Sequence, residues 1–186
     1  MKNKKLIIFG AGDIAQLANY YFSTDSEYEV VVHTVDSKYK NNENFMNLPL
    51  ISFEEIEKGY PPADYEIFIA LSYSGMNTLR RTKLNQAKEK GYRIASYISS
   101  FCTYMSEKKP GENAFILEDN TIQPFTEIGE NVMIWSGNHI GHHSNIMNDN
   151  FISSHVVISG HCIINENCFL GVNSTLAHNV ILAKGT

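Results

Sequence analysis

Divided into sixes, residues 116–182 read ILEDNT-IQPFTE-IGENVM-IWSGNH-IGHHSN-IMNDNF-ISSHVV-ISGHCI-INENCF-LGVNST-LAHNVI-L. Every block opens on an aliphatic: Ile116, Ile122, Ile128, Ile134, Ile140, Ile146, Ile152, Ile158, Ile164, Leu170, Leu176 and Leu182. A period of six matches neither a helix nor a lone strand and marks a repeat architecture. The residue after the aliphatic is often small (Gly129, Gly141, Ser153, Ser159, Gly171, Ala177, Ala183). The fourth residue after it is small or β-branched (Val132, Ser144, Val156, Cys162, Cys168, Ser174, Val180). Asn, Gly, Asp and His crowd the places between, where a turn needs residues that tolerate left-handed backbone. Each block therefore predicts a short strand and a turn, and three blocks close one triangular coil. Successive coils stack by parallel β pairing about 4.8 Å apart around a continuous aliphatic core. The aliphatic column is core and carries no chemistry, so function belongs to the turns.

The chain before about Ser100 has a different rhythm. Lys5–Phe9 predicts a strand, and Gly10-Ala11-Gly12-Asp13-Ile14-Ala15 opens a helix running to Phe22. Further strands are expected at Glu29–Val35, Tyr65–Leu71 and Tyr92–Ile98, with a helix at Met76–Lys90. Alternating strands and helices indicate a parallel α/β sheet. Gly10-x-Gly12-x-x-Ala15 after a strand, with Asp36 at the end of the next, is a dinucleotide-type fingerprint. It allows a phosphate to approach a helix N-terminus and Asp36 to accept ribose hydroxyls. The plainer reading is that the two glycines permit a tight strand-to-helix turn. Four strands make one mononucleotide-binding half, so a nucleotide ligand is more natural than a redox cofactor. The expected organisation is a Rossmann-like domain over 1–100, a linker over 101–113 around Pro110-Gly111, and a β-helix over 114–186. The last block runs out at Thr186 with no capping coil, so the solenoid is expected to be cut short there.

The chain has 186 residues, 43% hydrophobic and 19% charged, with a net charge of -5. Those values describe a globular chain, and its scattered basic residues argue against nucleic-acid binding. No segment reads as a signal peptide or membrane span, which makes the cytoplasm the default location. Three cysteines without a CxxC pair argue against both a disulfide framework and a structural zinc site.

A short Gly-rich α/β domain joined to hexapeptide coils resembles the NeuD/PglD-type family of sugar O- and N-acyltransferases. The resemblance spans essentially the whole chain and is carried by Ile7–Gly12, Ile69–Arg80, Tyr97–Ser100, Ile140–Ser144 and Asn167–Ser174. It implies a left-handed coil, against the usual right-handed crossover. It also implies a homotrimer, acetyl-CoA lying between adjacent β-helices, and a sugar nucleotide held by the N-terminal domain. Gly10, Ala11 and Gly12 would contact the nucleotide, and Asp36 with the Ser72-Tyr73 turn would complete its pocket. His142 matches the family's catalytic base, and Gly160 and Val172 match positions lining the acetyl-CoA groove.

Six of the seven histidines follow residue 138: His139, His142, His143, His155, His161 and His178. One coil is three blocks, so His143 stacks on His161, and His142, Gly160 and His178 form the neighbouring column. A neutral imidazole can take a proton from an amine or hydroxyl at physiological pH, and a turn N–H, such as that of Gly160, can hold the oxyanion. Cys162 and Cys168 fall in inward columns, which argues against an acyl-cysteine. Two places depart from the family. His143 stands where many members carry a carboxylate beside the base, so either Asp149 or a group from a neighbouring subunit takes that role, or the base works unassisted. Phe151 stands where some use a second histidine to contact the acetyl group, and His155 is the candidate substitute.

The reading is an acetyl-CoA-dependent acetyltransferase acting on the amino or hydroxyl group of a UDP- or dTDP-linked aminosugar in bacterial surface glycan synthesis, with no metal expected. The alternatives are a sialic acid O-acetyltransferase, a non-catalytic sugar-nucleotide-binding subunit, a zinc lyase of the γ-carbonic-anhydrase kind, and an NAD-dependent oxidoreductase.

Overall fold

The computed structural model describes residues 2–186, which divide into two compact units. One is built from the chain up to Ser72 together with Thr82–Ala95, the other from Tyr73–Arg81 with Ser96–Thr186.

The first unit is a six-stranded sheet in the order β3-β4-β2-β1-β5-β6. Its elements are β1 (Lys4–Phe9), α1 (Asp13–Thr24), β2 (Tyr28–Val35), β3 (Asn44–Phe45), β4 (Leu48–Ser52), β5 (Tyr65–Ile69), α2 (Thr78–Glu89), which belongs to this unit from Thr82 onward, and β6 (Arg93–Ile94). Pairing is parallel except between β3 and β4. The central strand β1 is buried from Leu6 to Phe9, as expected of a strand covered on both faces. Alternation sends Ile7 and Phe9 into a cluster with Ile67, Ile69, Phe53 and the α2 residues Leu84 and Ala87. Helix α1 buries Ala15, Ala18 and Phe22, one stripe of a helical face. The Phe22 ring meets Tyr28 at 5.4 Å and Phe68 at 5.1 Å. The β3–β4 hairpin corrects the four-strand reading. Its tip, Met46-Asn47, has φ of 50° and 61°, the two positive values of a type I′ turn, but carries no glycine to announce it.

Gly10 adopts φ 137°, and a Cβ there would lie 2.7 Å from the Ala70 carbonyl oxygen and 3.2 Å from Ala15 Cβ. The turn is locked by His33, which is fully buried. Asn19 Nδ2 donates to His33 Nε2 at 2.8 Å, which leaves Nδ1–H to donate to the Gly10 carbonyl at 3.1 Å. Only the neutral ring makes both bonds. Burial accordingly holds the His33 pKa below its ordinary value, partly offset by the Gly10 carbonyl. The unfolded chain therefore binds this proton more readily, so the stabilisation is complete above about pH 6.5 and is lost as pH falls from there toward the folded value. The melting temperature is expected to fall between about pH 7.5 and 5.5, and to fall less in a His33→Gln variant. Equal slopes in a thermal melt series would exclude His33 as the group.

The second unit is a left-handed parallel β-helix. Two-residue strands stack into three faces. Tyr97–Ile98, Phe115–Ile116, Met133–Ile134, Phe151–Ile152 and Phe169–Leu170 form the first. Thr103–Tyr104, Thr121–Ile122, His139–Ile140, Val157–Ile158 and Thr175–Leu176 form the second, and the strands opened by Glu127, Asn145, Ile163 and Ile181 form the third. The aliphatic column from Ile116 to Leu170 is buried inside, and Leu176 and Leu182 pack against its end. Burying each of these side chains is worth about 1.5–3 kcal/mol relative to leaving it in water. Every sixth residue from Asn113 to Gly185 has positive φ, and all but Phe125 are Asn, Asp, His or Gly. Those are the types that enter the left-handed region at low cost.

The expected boundary near 100 and the linker over 101–113 are corrected. Tyr97–Ile98 pairs with Phe115–Ile116, and Thr103–Tyr104 with Thr121–Ile122, so the first coil begins before residue 100. The column continues in register as Ile98, Tyr104 and Pro110, but an aromatic and an imino acid disguise it. The expected strand Tyr92–Ile98 is two strands, β6 in the first unit and Tyr97–Ile98 in the solenoid. A continuous apolar run cannot show by periodicity where it changes sheets.

Residues 73–81 pack on the coils. The Tyr73 ring lies 5.1 Å from Phe151 and 4.7 Å from Phe169. Asn77 Nδ2 donates to the Asp149 carbonyl at 2.7 Å, and Asn167 Nδ2 to the Met76 carbonyl at 2.9 Å. Arg80 is fully buried and donates to Asn131 Oδ1 at 2.8 Å and to the Asn131 carbonyl at 2.7 Å. Arg81 pairs with Asp149 and Glu130, each at 2.8 Å. Among the described residues, no helix is long and apolar enough to cross a membrane.

Candidate active site

The three edges of the solenoid differ in chemistry. The edge through residues 141–144 and 159–162 gathers the histidines. His143 and His161 stack with ring centroids 4.8 Å apart and planes 6° apart, as the repeat predicts. Phe125 continues that ladder at 4.6 Å from His143. All three occupy the positive-φ column, so backbone geometry already accounts for His143 and His161.

His142 has no such backbone duty. Its ring folds along the edge over Gly160, where an added Cβ would lie 2.8 Å from His142 Cε1 and 2.9 Å from Nε2. Gly160 thus provides the space the imidazole occupies. The main-chain N–H of His142 donates to Gln123 Oε1 at 2.9 Å, and its Nδ1 faces His143 Nδ1 at 3.0 Å. Adjacent residues usually project apart; the φ of 58° at His143 swings its ring toward its neighbour. His161 lies 5.2 Å from both His142 and His178, edge to face. Loss of water contact, then His143, His178 and His142, hold the His161 pKa below its ordinary value. Ligand atoms of His142, His143 and His161 all lie within 4.8 Å of one another.

Asp149 does not support the base. It lies on a different edge, where Arg81 Nε donates to both its oxygens at 2.8 and 3.0 Å and Asn131 Nδ2 donates at 2.7 Å. The repeat shows the reason: Asp149 is six residues beyond His143, one edge further round the coil. His155 and Val172 share the third edge. The His155 ring lies over Gly137, whose added Cβ would meet it at 2.7 Å, and Val172 is 63% exposed. Phe151 is buried and stacks on Phe169 at 5.5 Å, so no imidazole acts from that position. Cys162 and Cys168 are buried in the solenoid core, as expected.

In the first unit, Gly10 serves the packing of the β1–α1 turn, whereas nothing lies within 4 Å of a Cβ added at Gly12. Gly12 caps α1 without a side-chain hydrogen bond, which leaves the surface beside Ala11 and the first helical turn open. Asp36 is already paired with Lys83 at 2.5 Å. Both line an open cavity of about 790 Å³, together with Ser37, Glu54 and Lys90. Glu54 accepts from the Ser37 and Ser52 hydroxyls at 2.6 and 2.5 Å, which pulls its pKa down to about 2. Sequence reading missed Glu54 and Lys83 because their partners are distant in the chain: Ser37 meets Glu54 only once the unforeseen β4 strand pairs with β2, and Lys83 meets Asp36 across 47 residues. Ser72 belongs to the first unit and Tyr73 to the second, so the pair divides between them.

Neither a protein-family model nor a curated protein sequence matches the chain. Solved structures do. The acetyltransferase domain of PglB from Neisseria gonorrhoeae superposes with a TM-score of 0.85 at 19% identity, over 98% of this chain and 87% of that one. A histidine-to-asparagine mutant of perosamine N-acetyltransferase from Caulobacter crescentus, in complex with CoA and GDP-perosamine, superposes with a TM-score of 0.71 at 11% identity, over 95% and 90%. WeeI from Acinetobacter baumannii gives a TM-score of 0.62 at 14% identity, over 98% and 92%. The architecture of this chain, a Rossmann-like unit and a left-handed β-helix, is the fold of the PglB and perosamine acetyltransferase structures, which are of the hexapeptide-repeat kind.

Proposed function

We propose that the chain transfers an acetyl group from acetyl-CoA to the amino group, or a hydroxyl, of a nucleotide-linked sugar in bacterial surface glycan synthesis. The observation that carries this reading is the exposed His142 imidazole laid over Gly160 with Nδ1 facing His143. The PglB domain was also solved with acetyl coenzyme A, which supports acetyl-CoA as co-substrate. The acceptor bound to the perosamine enzyme is a sugar nucleotide, which supports N-acetylation and adds GDP to UDP and dTDP as nucleotides to test.

In the reacting tautomer, His142 Nδ1–H donates to the lone pair of His143 Nδ1, leaving His142 Nε2 free to take a proton from the attacking amine. The thioester supplies the activated acyl group; the residues orient the base and stabilise charge. We assign the Gly160 N–H, beneath the ring, to the developing oxyanion. His143 takes the place of the family's carboxylate. A neutral acceptor fixes the tautomer but does less to stabilise the imidazolium that forms. The cavity beside Asp36 and Lys83, with Gly10, Ala11 and Gly12, is assigned to the nucleotide. His155 and Val172 are assigned to the acetyl-CoA groove of a homotrimer, contributed by a neighbouring copy's edge.

Gly160→Ala separates positioning from folding. The added methyl displaces only the exposed His142 ring, so the melting temperature is expected to stay within about 2 °C while turnover falls by roughly 100-fold. Unchanged turnover would show that the ring's position over Gly160 is immaterial. The reaction class is tested by thiol release from acetyl-CoA against UDP-, dTDP- and GDP-linked aminosugars, with free sialic acid alongside. Release with none of them would overturn the proposal, and release with sialic acid alone would replace it with O-acetylation.

A further inference from the structure

The same edge has a property that proton transfer does not require. Three imidazoles from two adjacent coils converge, with no carboxylate or thiolate among the clustered groups. Two of them already face each other nitrogen to nitrogen at 3.0 Å. In a tetrahedral site a zinc–nitrogen distance of about 2.0–2.1 Å places ligand nitrogens roughly 3.4 Å apart. The spread of 4.8 Å in the cluster closes to that by side-chain rotation alone, because all three rings are exposed. The third ring, His161, is carried one coil along by parallel pairing, and its backbone N–H donates to the His142 carbonyl at 2.9 Å, which fixes that spacing. His178 stands 5.2 Å beyond His161 and 6.2 Å from His142.

We propose that His142, His143 and His161 form a binding site within one chain for a borderline-soft divalent cation of the zinc class, with His178 or water in the fourth position. A donor set of imidazoles alone favours zinc, copper, nickel or cobalt over magnesium and calcium, which require oxygen ligands. Occupancy ties up the His142 lone pair. The consequence for turnover rests on the reading of His142 as the base: such an ion is a reversible inhibitor of acetyl transfer, not its cofactor.

Cobalt(II) is the probe, because its visible absorption reports tetrahedral coordination; the full chain is used free of any histidine tag. The wild type is expected to take up one equivalent with saturation, displaced by zinc. Outer partners of metal ligands alone are worth about 10- to 100-fold in affinity, so His161→Asn and His143→Asn should each weaken binding at least about tenfold. Asparagine is chosen because Asn179 continues the same positive-φ column, so the turns fold in the variants. His139→Ala and His155→Ala should bind as the wild type does. Absence of saturable uptake, or uptake indifferent to His161→Asn and His143→Asn, overturns the site. Zinc should also suppress acetyl-CoA consumption in the wild type. Binding without that suppression would leave the metal site standing and count against His142 as the base.

Discussion

Replacing His142 with alanine is expected to lower kcat by about 10²- to 10⁴-fold, the usual contribution of a positioned general base. The KM for acetyl-CoA should change little, because the imidazole is assigned to the proton and not to the groove. The fold should be untouched. The ring is exposed, and its backbone lies outside the positive-φ column that shapes the turns. Circular dichroism and the melting temperature should therefore match the wild type while turnover collapses. His143→Asn should cost less, since it keeps a residue suited to the left-handed turn and removes only the acceptor that orients His142. Turnover within a few-fold of wild type in the His142 variant would remove this residue from the mechanism.

Arg80→Ala should be the most destabilising single change outside the aliphatic column. The Arg80 side chain has no exposed surface, and burial pulls its pKa from 12.5 down to about 9, with Asp149 opposing that shift. Truncation leaves a cavity and strips donors from the Asn131 carbonyl and side-chain oxygens, which otherwise anchor residues 73–81 to the coils. Each acceptor left unsatisfied costs about 1–3 kcal/mol and the cavity adds to that, for a total of about 3–5 kcal/mol. At roughly 2–4 °C per kcal/mol for a chain of this size, the melting temperature should drop by about 10 °C. Arg80→Met fills most of the volume and should lose less. Limited proteolysis should show new cleavage within 73–81 in the alanine variant. An unchanged melting temperature would mean that the segment is held by Tyr73, Asn77 and Arg81 without it.

The solenoid was legible because its signal is one-dimensional. A buried aliphatic every six residues and a left-handed turn residue at a constant offset both follow from stacking identical coils. The neighbours His143 and His161, and the column of His142, Gly160 and His178, follow from the same arithmetic. The first coil was hidden by Tyr104 and Pro110 in the aliphatic column. The β3–β4 hairpin was hidden by a positive-φ turn built from Met46 and Asn47. In both cases the backbone geometry was ordinary and the residue types were not the usual ones.

The amino-acid sequence alone determined the architecture of the second unit and the edge on which its histidines lie, because nearest-neighbour stacking repeats with chain position. Tertiary structure decided what those side chains do on the edge. The turn at His143 rotates one imidazole toward another, the bare face of Gly160 admits the His142 ring, and Asp149 is drawn into an ion pair with Arg81. These depend on rotation about individual bonds and on partners far away in the chain, neither of which a repeat can encode.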